Sequence, residues 1–157
     1  MTYFTIVPSP VGDLGLTSDG AALTGLYLAA QRIDESQWER ADDLAIFNCA
    51  KAWLESYFAG NPGAVEFPLS PAGTDFQRKV WAILLTIPYG KTTTYGAIAR
   101  QLGQTMSAQA VGQAVGRNLI SIIIPCHRVV GAKGQLTGYA GGIENKKWLL
   151  RHEEETK

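Results

Sequence analysis

The sequence carries no net charge, since 14 lysines and arginines balance 14 aspartates and glutamates over 157 residues. Non-specific binding to nucleic acids draws on basic surface, so the charge balance gives no indication of a nucleic-acid partner. No apolar run approaches the roughly 20 residues that span a membrane, and the first residues lack the basic and then apolar pattern of a secretory signal. We therefore predict a chain that is neither exported nor membrane-spanning, with a length that suits one domain or two small lobes.

Cysteine and histidine are also scarce, with two of each: Cys49, Cys126, His127 and His152. Two thiols so far apart in the sequence, one of them beside a potential base, are not typical of a disulfide scaffold. Structural disulfides belong mainly to oxidising compartments, so this cysteine usage predicts a cytoplasmic protein.

The first 30 residues predict short β-strands. Leucines alternate with smaller or polar residues in two stretches, and Asp19-Gly20 between them is a hairpin turn signal. The alternating positions are Leu14, Leu16, Leu26 and Leu28.

From Ser36 to Phe58 the pattern changes to a helical period. Its apolar positions are Ile46, Ala50, Trp53 and Tyr57. We read this stretch as an amphipathic helix and expect Cys49 within it to pack in the core. The stretch through Pro68, Pro71 and Gly73 then predicts a linker between two lobes.

Four further helices are predicted in the second half. Thr74-Asp75-Phe76-Gln77 is a capping-box signature that opens the first. Residues 95–102 predict the second, and Ser107 is a suitable cap for the third, which runs to about Arg117. Two short helices with a tight connection between them indicate a helix-turn-helix. A last helix is predicted from about Glu144 to Glu154.

The third of these helices has two distinct faces. We expect Ala108, Val111 and Val115 to face the core. The opposite face carries only small or neutral polar residues, namely Gln109, Gly112, Gln113 and Gly116. Helical glycine is explained either by close helix packing or by close approach to a ligand such as a DNA groove.

A reactive centre is predicted at Cys126. The β-branched run Ile122–Ile124 indicates a buried strand that ends at Pro125, because proline has no N–H to donate. A free cysteine is most often a small buried hydrophobe. A thiol at the end of a buried segment, with His127 beside it, is instead typical of a nucleophile and its base.

The residues around Cys126 resemble the active-site motif of the O6-alkylguanine-DNA alkyltransferases, also called methylated-DNA–protein-cysteine methyltransferases. The resemblance extends in order from about Thr74 to the C-terminus. It rests on Thr94-Tyr95-Gly96, Ala110-Val111-Gly112, Asn118, Pro125-Cys126-His127-Arg128-Val129, Gly138-Tyr139-Ala140-Gly141-Gly142 and Trp148-Leu149-Leu150-Arg151-His152-Glu153.

The fold that this resemblance implies is of the α/β class. Residues 1–70 would form a ribonuclease-H-like lobe with a small antiparallel sheet and one helix. Residues 71–157 would form a mainly helical catalytic and DNA-binding lobe with the helix-turn-helix.

The activity that the resemblance implies is DNA repair by direct, irreversible, single-turnover alkyl transfer. An alkyl group, typically methyl, would pass from O6-alkylguanine in DNA to Cys126, with O4-alkylthymine as a second candidate substrate. The implied partner is alkylated double-stranded DNA, bound through its minor groove by a monomer that flips the target nucleotide out of the stack.

The resemblance also assigns roles in the chemistry. Cys126 would give its proton through a bound water to His127, and Glu153 would orient the imidazole. Without the resemblance, Glu153 would be read as a solvated acid at a helix end. Asn118 would brace the turn that holds the cysteine, and Tyr95 would approach the guanine N3 edge and the flanking phosphate.

Two further sets of residues follow from the family pattern. The substrate pocket would be formed by Val115, Val129, Tyr139 and Ala140, with the Cys126 and Val129 carbonyls receiving the guanine amino group. DNA would be contacted by Tyr95, Gly96, Gln104, Gln109, Ala110, Gly112, Gln113 and Gly116.

The sequence departs from the family pattern at Gln109, where the family carries an arginine that fills the gap left by the flipped base. Some members also bind zinc in the N-terminal lobe through cysteine and histidine. Because no histidine precedes His127, we predict no metal and no other cofactor.

Two other functions compete with alkyl transfer. The first is a non-enzymatic alkyltransferase-like protein that binds lesions, although such proteins replace the reactive cysteine that is present here. The second is a helix-turn-helix regulator in which Cys126 is structural, which would leave the joint match of Asn118, His127 and Glu153 unexplained.

Overall fold

The N-terminal part of the chain forms the predicted sheet. This computed structural model describes residues 1–31, 33–103 and 106–157. Strands β1 (Tyr3–Val7), β2 (Leu14–Ser18) and β3 (Leu23–Tyr27) pair in antiparallel fashion. The expected turn lies between β2 and β3, where the Asp19 carboxylate accepts hydrogen bonds from the next backbone N–H groups. A two-residue strand β4 (Glu39–Arg40) adds to β1 in parallel and completes the order β3-β2-β1-β4.

Helix α1 (Ala45–Phe58) covers this sheet but is shorter than predicted. The sequence before it enters β4 instead of a helix, so the predicted start at Ser36 is wrong. Cys49 is exposed, and the prediction of a core position is wrong as well. The buried face of α1 is formed by Ile46, Phe47, Ala50, Leu54 and Tyr57. Cys49 falls outside that face because it lies one residue before Ala50, about 100° around the helix.

The C-terminal part is mainly helical, as predicted. Helix α2 (Asp75–Leu84) begins with a complete capping box, in which Thr74 and Gln77 satisfy each other's backbone N–H groups. Helix α3 (Tyr95–Leu102) is capped at its start by Thr94 and at its end by Gly103. Helix α4 (Ala108–Gly116) begins at Ser107, whose hydroxyl accepts from the Ala110 N–H. Helices α3 and α4 thus form the predicted helix-turn-helix. The expectation that Ala108 faces the core is wrong, since it is exposed.

The segment that leads to the cysteine is buried but is not a strand. Residues 121–124 form successive turns, and Ile122 adopts a left-handed backbone with φ of 70°. A β-branched residue disfavours that region, so surrounding contacts must hold it there. The predicted strand over Ile122–Ile124 is therefore wrong, and Pro125 does not end a strand here. A short 3₁₀ turn (Cys126–Arg128) follows, and then strand β6 (Val129–Val130).

Two further elements complete the site. Strand β5 (Thr93–Thr94) pairs in parallel with β6, which brings the start of α3 beside the cysteine turn. Helix α5 (Ile143–Thr156) returns along the cysteine turn. Within the three described ranges, no helix combines the length and apolarity needed to cross a membrane.

The two parts of the chain also share backbone hydrogen bonds. The Leu26 N–H of β3 donates to the Leu119 carbonyl at 2.8 Å, and the Ser121 N–H donates back to the Leu26 carbonyl at 3.2 Å. The sheet therefore contacts the segment that carries the candidate nucleophile.

Candidate active site

The candidate nucleophile Cys126 is buried at the start of the 3₁₀ turn. The Asn118 side chain braces the approach to it. Its amide group donates to the Ile124 carbonyl at 2.9 Å and to the Ile120 carbonyl at 3.2 Å, while its oxygen accepts from the Ile120 N–H at 3.0 Å. These contacts fix the backbone on both sides of the left-handed Ile122.

The surroundings of the thiol act in opposite directions on its proton. Burial raises the pKa of Cys126, whereas hydrogen bonds from Asn118 and Ser121 and the positive charge of Lys146 lower it. The thiol lines a cavity of about 10 Å³ together with the polar groups of Asn118, Ser121 and Tyr139. A cavity of this size accommodates about one water molecule and no base.

The imidazole beside the cysteine is fully buried and bound on one side. His127 Nε2 contacts Glu153 Oε2 at 2.5 Å. Its Nδ1 atom is buried and has no hydrogen-bonding partner among the described residues. Burial lowers the pKa of His127, and the neighbouring Arg128 and Lys146 charges act in the same direction, against the carboxylate of Glu153. The ring is thus oriented through Nε2, and among the described residues nothing bonds Nδ1.

Glu153 is the most heavily hydrogen-bonded group of the site. Oε2 accepts from His127 and from the Tyr57 hydroxyl at 2.6 Å, while Oε1 accepts from Arg128 Nε at 2.8 Å and from the Gly90 N–H at 3.1 Å. Burial by itself would raise the pKa of this carboxyl, but the contacts with His127 and Arg128 lower it to about 2. The side chain is therefore an ionised, buried acid, not a solvated charge at a helix end.

A second buried cation lies on the other side of the cysteine turn. Lys146 Nζ donates to the Val129 carbonyl at 2.8 Å, and the nearest further acceptor is the Thr137 carbonyl at 3.5 Å. Val129 O is one of the two carbonyls expected to receive the guanine amino group. A second lone pair remains on this oxygen, because a carbonyl oxygen can accept two hydrogen bonds.

Tyr95 lies at the first position of α3, half-buried beside the cysteine loop. Its hydroxyl shares a hydrogen bond of 2.5 Å with the Thr137 hydroxyl. Gly96 follows in the same turn and is half-buried. The Tyr95 ring also lies against Gly112 of α4, where an added Cβ would stand 3.6 Å from it, an ordinary contact.

The outer face of α4 is uncharged and open. Gln109, Gln113 and Gly116 are exposed on it, and Ala110 is half-buried. A Cβ on Gly116 would meet no atom of the described residues within 4 Å, so packing inside the protein does not require that glycine. Gln104, which was also predicted to contact DNA, lies outside the described residues.

The predicted pocket residues surround the thiol on one side. Val115 is buried and lines the small cavity with Tyr139 and Ala140. The Tyr139 hydroxyl is buried and has no hydrogen-bonding partner among the described residues. Val129 lies beyond the cysteine turn, at the start of β6.

Three contributors to this site were missed from the sequence, namely Tyr57, Arg128 and Lys146. Arg128 lies inside the cysteine motif, yet nothing local indicates that it pairs with Glu153. Lys146, Leu149 and Glu153 are spaced i, i+3 and i+7, which places them on one face of α5 and could have predicted their burial. In the three described ranges, no group of three or more His, Cys, Asp or Glu side chains could hold a metal ion.

Comparison with known proteins adds to this geometry. Residues 2–71 match the ribonuclease-like domain of 6-O-methylguanine DNA methyltransferase, and residues 75–155 match its DNA-binding domain. A methylated-DNA–protein-cysteine methyltransferase of Mycobacterium tuberculosis is 46% identical over 98% of this chain and 93% of its own length. One from Haemophilus influenzae is 42% identical over 97% and 86%. A crystal structure of M. tuberculosis OGT in complex with DNA superposes with a TM-score of 0.89 at 45% identity, covering 98% of this chain and 94% of that one.

Proposed function

The chain belongs to the family of methylated-DNA–protein-cysteine methyltransferases, and we propose that it repairs DNA by moving an alkyl group from O6-alkylguanine to Cys126. The observation that carries this proposal is the arrangement at the thiol: Cys126 is buried beside His127, whose ring is held by the buried carboxylate of Glu153. The same logic of thiol, imidazole and acid operates in other cysteine enzymes, where the acid orients the base.

The transfer proceeds by displacement at the alkyl carbon. The Cys126 proton passes through a water molecule to His127 Nδ1, and the thiolate then attacks, since the neutral thiol is a weak nucleophile. A carbon–sulfur bond forms while the bond between carbon and guanine O6 breaks, and the electron pair goes to the guanine. A proton or hydrogen bond is then needed on the guanine, and in this proposal the Tyr95 hydroxyl supplies it. The protein keeps the alkyl group as a thioether, so each molecule reacts once.

DNA is the proposed partner, bound through the outer face of α4 in the minor groove. Small, neutral side chains allow this helix to come close to the duplex, and Gln109 occupies the place of the flipped nucleotide. Flipping is required because the target atom is inaccessible inside a stacked duplex. The cavity of about 10 Å³ beside Cys126 is too small for a guanine. We therefore expect the loop through Gly138, Tyr139 and Ala140 to move outward when the base enters.

The remaining assignments follow the family pattern. We propose an N-terminal lobe of residues 1–70 and a catalytic DNA-binding lobe of residues 71–157, acting together as a monomer. A free, reactive thiol favours a reducing compartment, in keeping with a cytoplasmic protein.

The test is transfer of label from a duplex that contains one O6-[³H-methyl]guanine. We expect label on the protein up to one methyl group per chain, located on the Cys126 peptide by mass spectrometry. Cys126→Ala should take up no label but still bind the duplex. The matched control is Cys49→Ala, because Cys49 is an exposed thiol away from the site.

The result also decides between alkyl transfer and lesion binding without transfer. Binding of the lesion without uptake of label by the wild-type chain would support a non-enzymatic lesion-binding protein. Label on Cys49 would refute the assignment of the nucleophile.

A further inference from the structure

The candidate site includes a contact that comes from the N-terminal lobe. Tyr57 lies near the end of α1, and its hydroxyl donates a 2.6 Å hydrogen bond to Glu153 Oε2. The two residues are 96 positions apart, and the bond is fully buried. Oε2 is also the atom that holds His127 Nε2. One carboxylate oxygen therefore serves a tyrosine of one lobe and the histidine of the other.

We propose that Tyr57 is a positioning residue for alkyl transfer, which holds Glu153 in place and restrains its negative charge so that His127 is neutral when the thiol proton arrives. This inference rests on the proposed function above. Two donors that share one oxygen compete for its electron density, and a carboxylate bonded to Tyr57 attracts a proton on the imidazole less strongly.

The ring of Tyr57 is held firmly enough for this role. It is completely buried and lies edge-on to His127, with ring centroids 6.5 Å apart. It also meets the Tyr89 ring edge-on at 5.7 Å and stacks on Trp53 at 5.5 Å. The ring is therefore fixed by its neighbours, and its hydroxyl has little freedom to turn away from Glu153.

Other charged and titratable groups also face the histidine and its acid. They belong to the cysteine turn, to the loop before β5, to the loop before α5 and to α5. These groups are Arg128, Tyr89, Tyr139, Lys146 and the neighbouring Cys126, while His152 contacts the Tyr57 ring and its carbonyl. Of these, Arg128 bonds the opposite oxygen of Glu153, so Tyr57 and His127 are the side-chain donors on Oε2 among the described residues.

Two replacements of Tyr57 should act in opposite directions. Tyr57→Phe removes the donor and keeps the ring, so Glu153 binds the imidazolium more tightly and His127 should protonate at higher pH. Site-specific incorporation of a fluorotyrosine at position 57 keeps the shape but makes the hydroxyl a stronger donor, and His127 should protonate at lower pH. The matched control is Tyr89→Phe, which removes a hydroxyl from the same aromatic cluster that bonds Thr156 and not Glu153.

The first measurement is an NMR titration of ¹⁵N-histidine in the free protein, which has only two histidines. We expect the midpoint of His127 to rise by about half a pH unit in Tyr57→Phe, to fall with fluorotyrosine, and to stay constant in Tyr89→Phe. A hydrogen bond to a charged group is typically worth about one to two pH units, of which only part reaches the histidine. This readout involves no DNA, so it remains valid even if alkyl transfer is not found.

The second measurement is the single-turnover transfer rate as a function of pH with the methylated duplex. The acid limb should move in the same direction as the His127 midpoint, so that Tyr57→Phe is about threefold slower than wild type on that limb. A His127 midpoint that does not move, or that moves equally in Tyr89→Phe, would overturn the proposal. If Tyr57→Phe does not fold, the fluorotyrosine protein alone decides, since an unchanged midpoint there refutes the role.

Discussion

Replacing Glu153 by glutamine should destabilise the protein strongly at neutral pH as well as slow alkyl transfer. Glutamine keeps the shape of the side chain, but its NH₂ group would face donors that bond a carboxylate oxygen in the wild type. It also leaves Arg128 buried without its charge partner. Breaking a buried pair in this way typically costs about 3–5 kcal/mol. The pKa of Glu153 gives a similar figure, because a fall from 4.5 to about 2 corresponds to about 3 kcal/mol. For a chain of this size the expected fall in Tm is roughly 10 °C.

The sign of the pH dependence follows from the lowered pKa. Glu153 stabilises the folded state fully above its ordinary pKa of 4.5, and this contribution is lost as the pH falls toward 2. Denaturant unfolding of wild type and Glu153→Gln should therefore differ by about 3 kcal/mol at pH 7 and by roughly half as much near pH 3. Repeating the comparison in a His127→Gln background removes the titration of the imidazole from both chains. The difference should be smaller there, because His127 is also the partner that lowers the pKa of Glu153 most. The control is Glu154→Gln, since the neighbouring carboxylate is 66% exposed and its pair with Lys157 should contribute less than about 1 kcal/mol. Equal unfolding free energies for the two variants at pH 7 would refute the account of Glu153 as a buried, ionised acid.

Three further predictions concern the proposed DNA-binding face of α4 and the buried lysine. Gln109→Arg should bind duplex more tightly, with affinity that falls more steeply as salt is raised, because the added charge attracts phosphates if Gln109 lies at the duplex as proposed. An unchanged salt slope in a filter-binding titration would mean that the residue is not at the DNA. Gly112→Ala should stabilise α4 by up to about 1 kcal/mol, since its Cβ meets Tyr95 at an ordinary distance. It should also weaken duplex binding, because it adds a methyl group to the face proposed to approach the groove. Thermal unfolding and duplex binding test this together, and tighter binding would contradict it. Lys146→Met should slow transfer near neutral pH, because loss of the nearby charge raises the pKa of Cys126. Each unit by which this pKa rises lowers the thiolate fraction roughly tenfold. A pH–rate profile identical to wild type would exclude this electrostatic role.

Local signals in the sequence predict the helices of the second half and the hairpin of this protein well, whereas the start of α1 was predicted wrongly. The capping box at Thr74 and the cap at Ser107 are satisfied by neighbours three residues away, so their physics is contained in a few consecutive letters. The same holds for the Asp19-Gly20 turn. Such features can be read without knowledge of the rest of the fold.

The errors arise where distant parts of the chain decide. The isoleucines before Pro125 have the composition of a strand, but the Asn118 amide bonds the backbone on both sides of Ile122 and holds turns instead. The burial of Glu153 depends on donors from α1, the loop before β5 and the cysteine turn, none of which is adjacent in sequence. Family resemblance predicted the Glu153 contact with His127, whereas Tyr57 had only the signal of a core position in a helix.

The wide separation of Tyr57 and Glu153 has a consequence for the time course of folding. Helices and hairpins close short loops and form quickly, whereas a contact across 96 positions must first overcome the entropic cost of closing a long loop. A refolding molecule should therefore regain most of its helical signal before the lobes dock and before His127 acquires its oriented, buried environment. Recovery of thiol reactivity toward alkylated DNA would then lag behind circular dichroism, because reactivity reports the assembly of the lobes and not the formation of their helices.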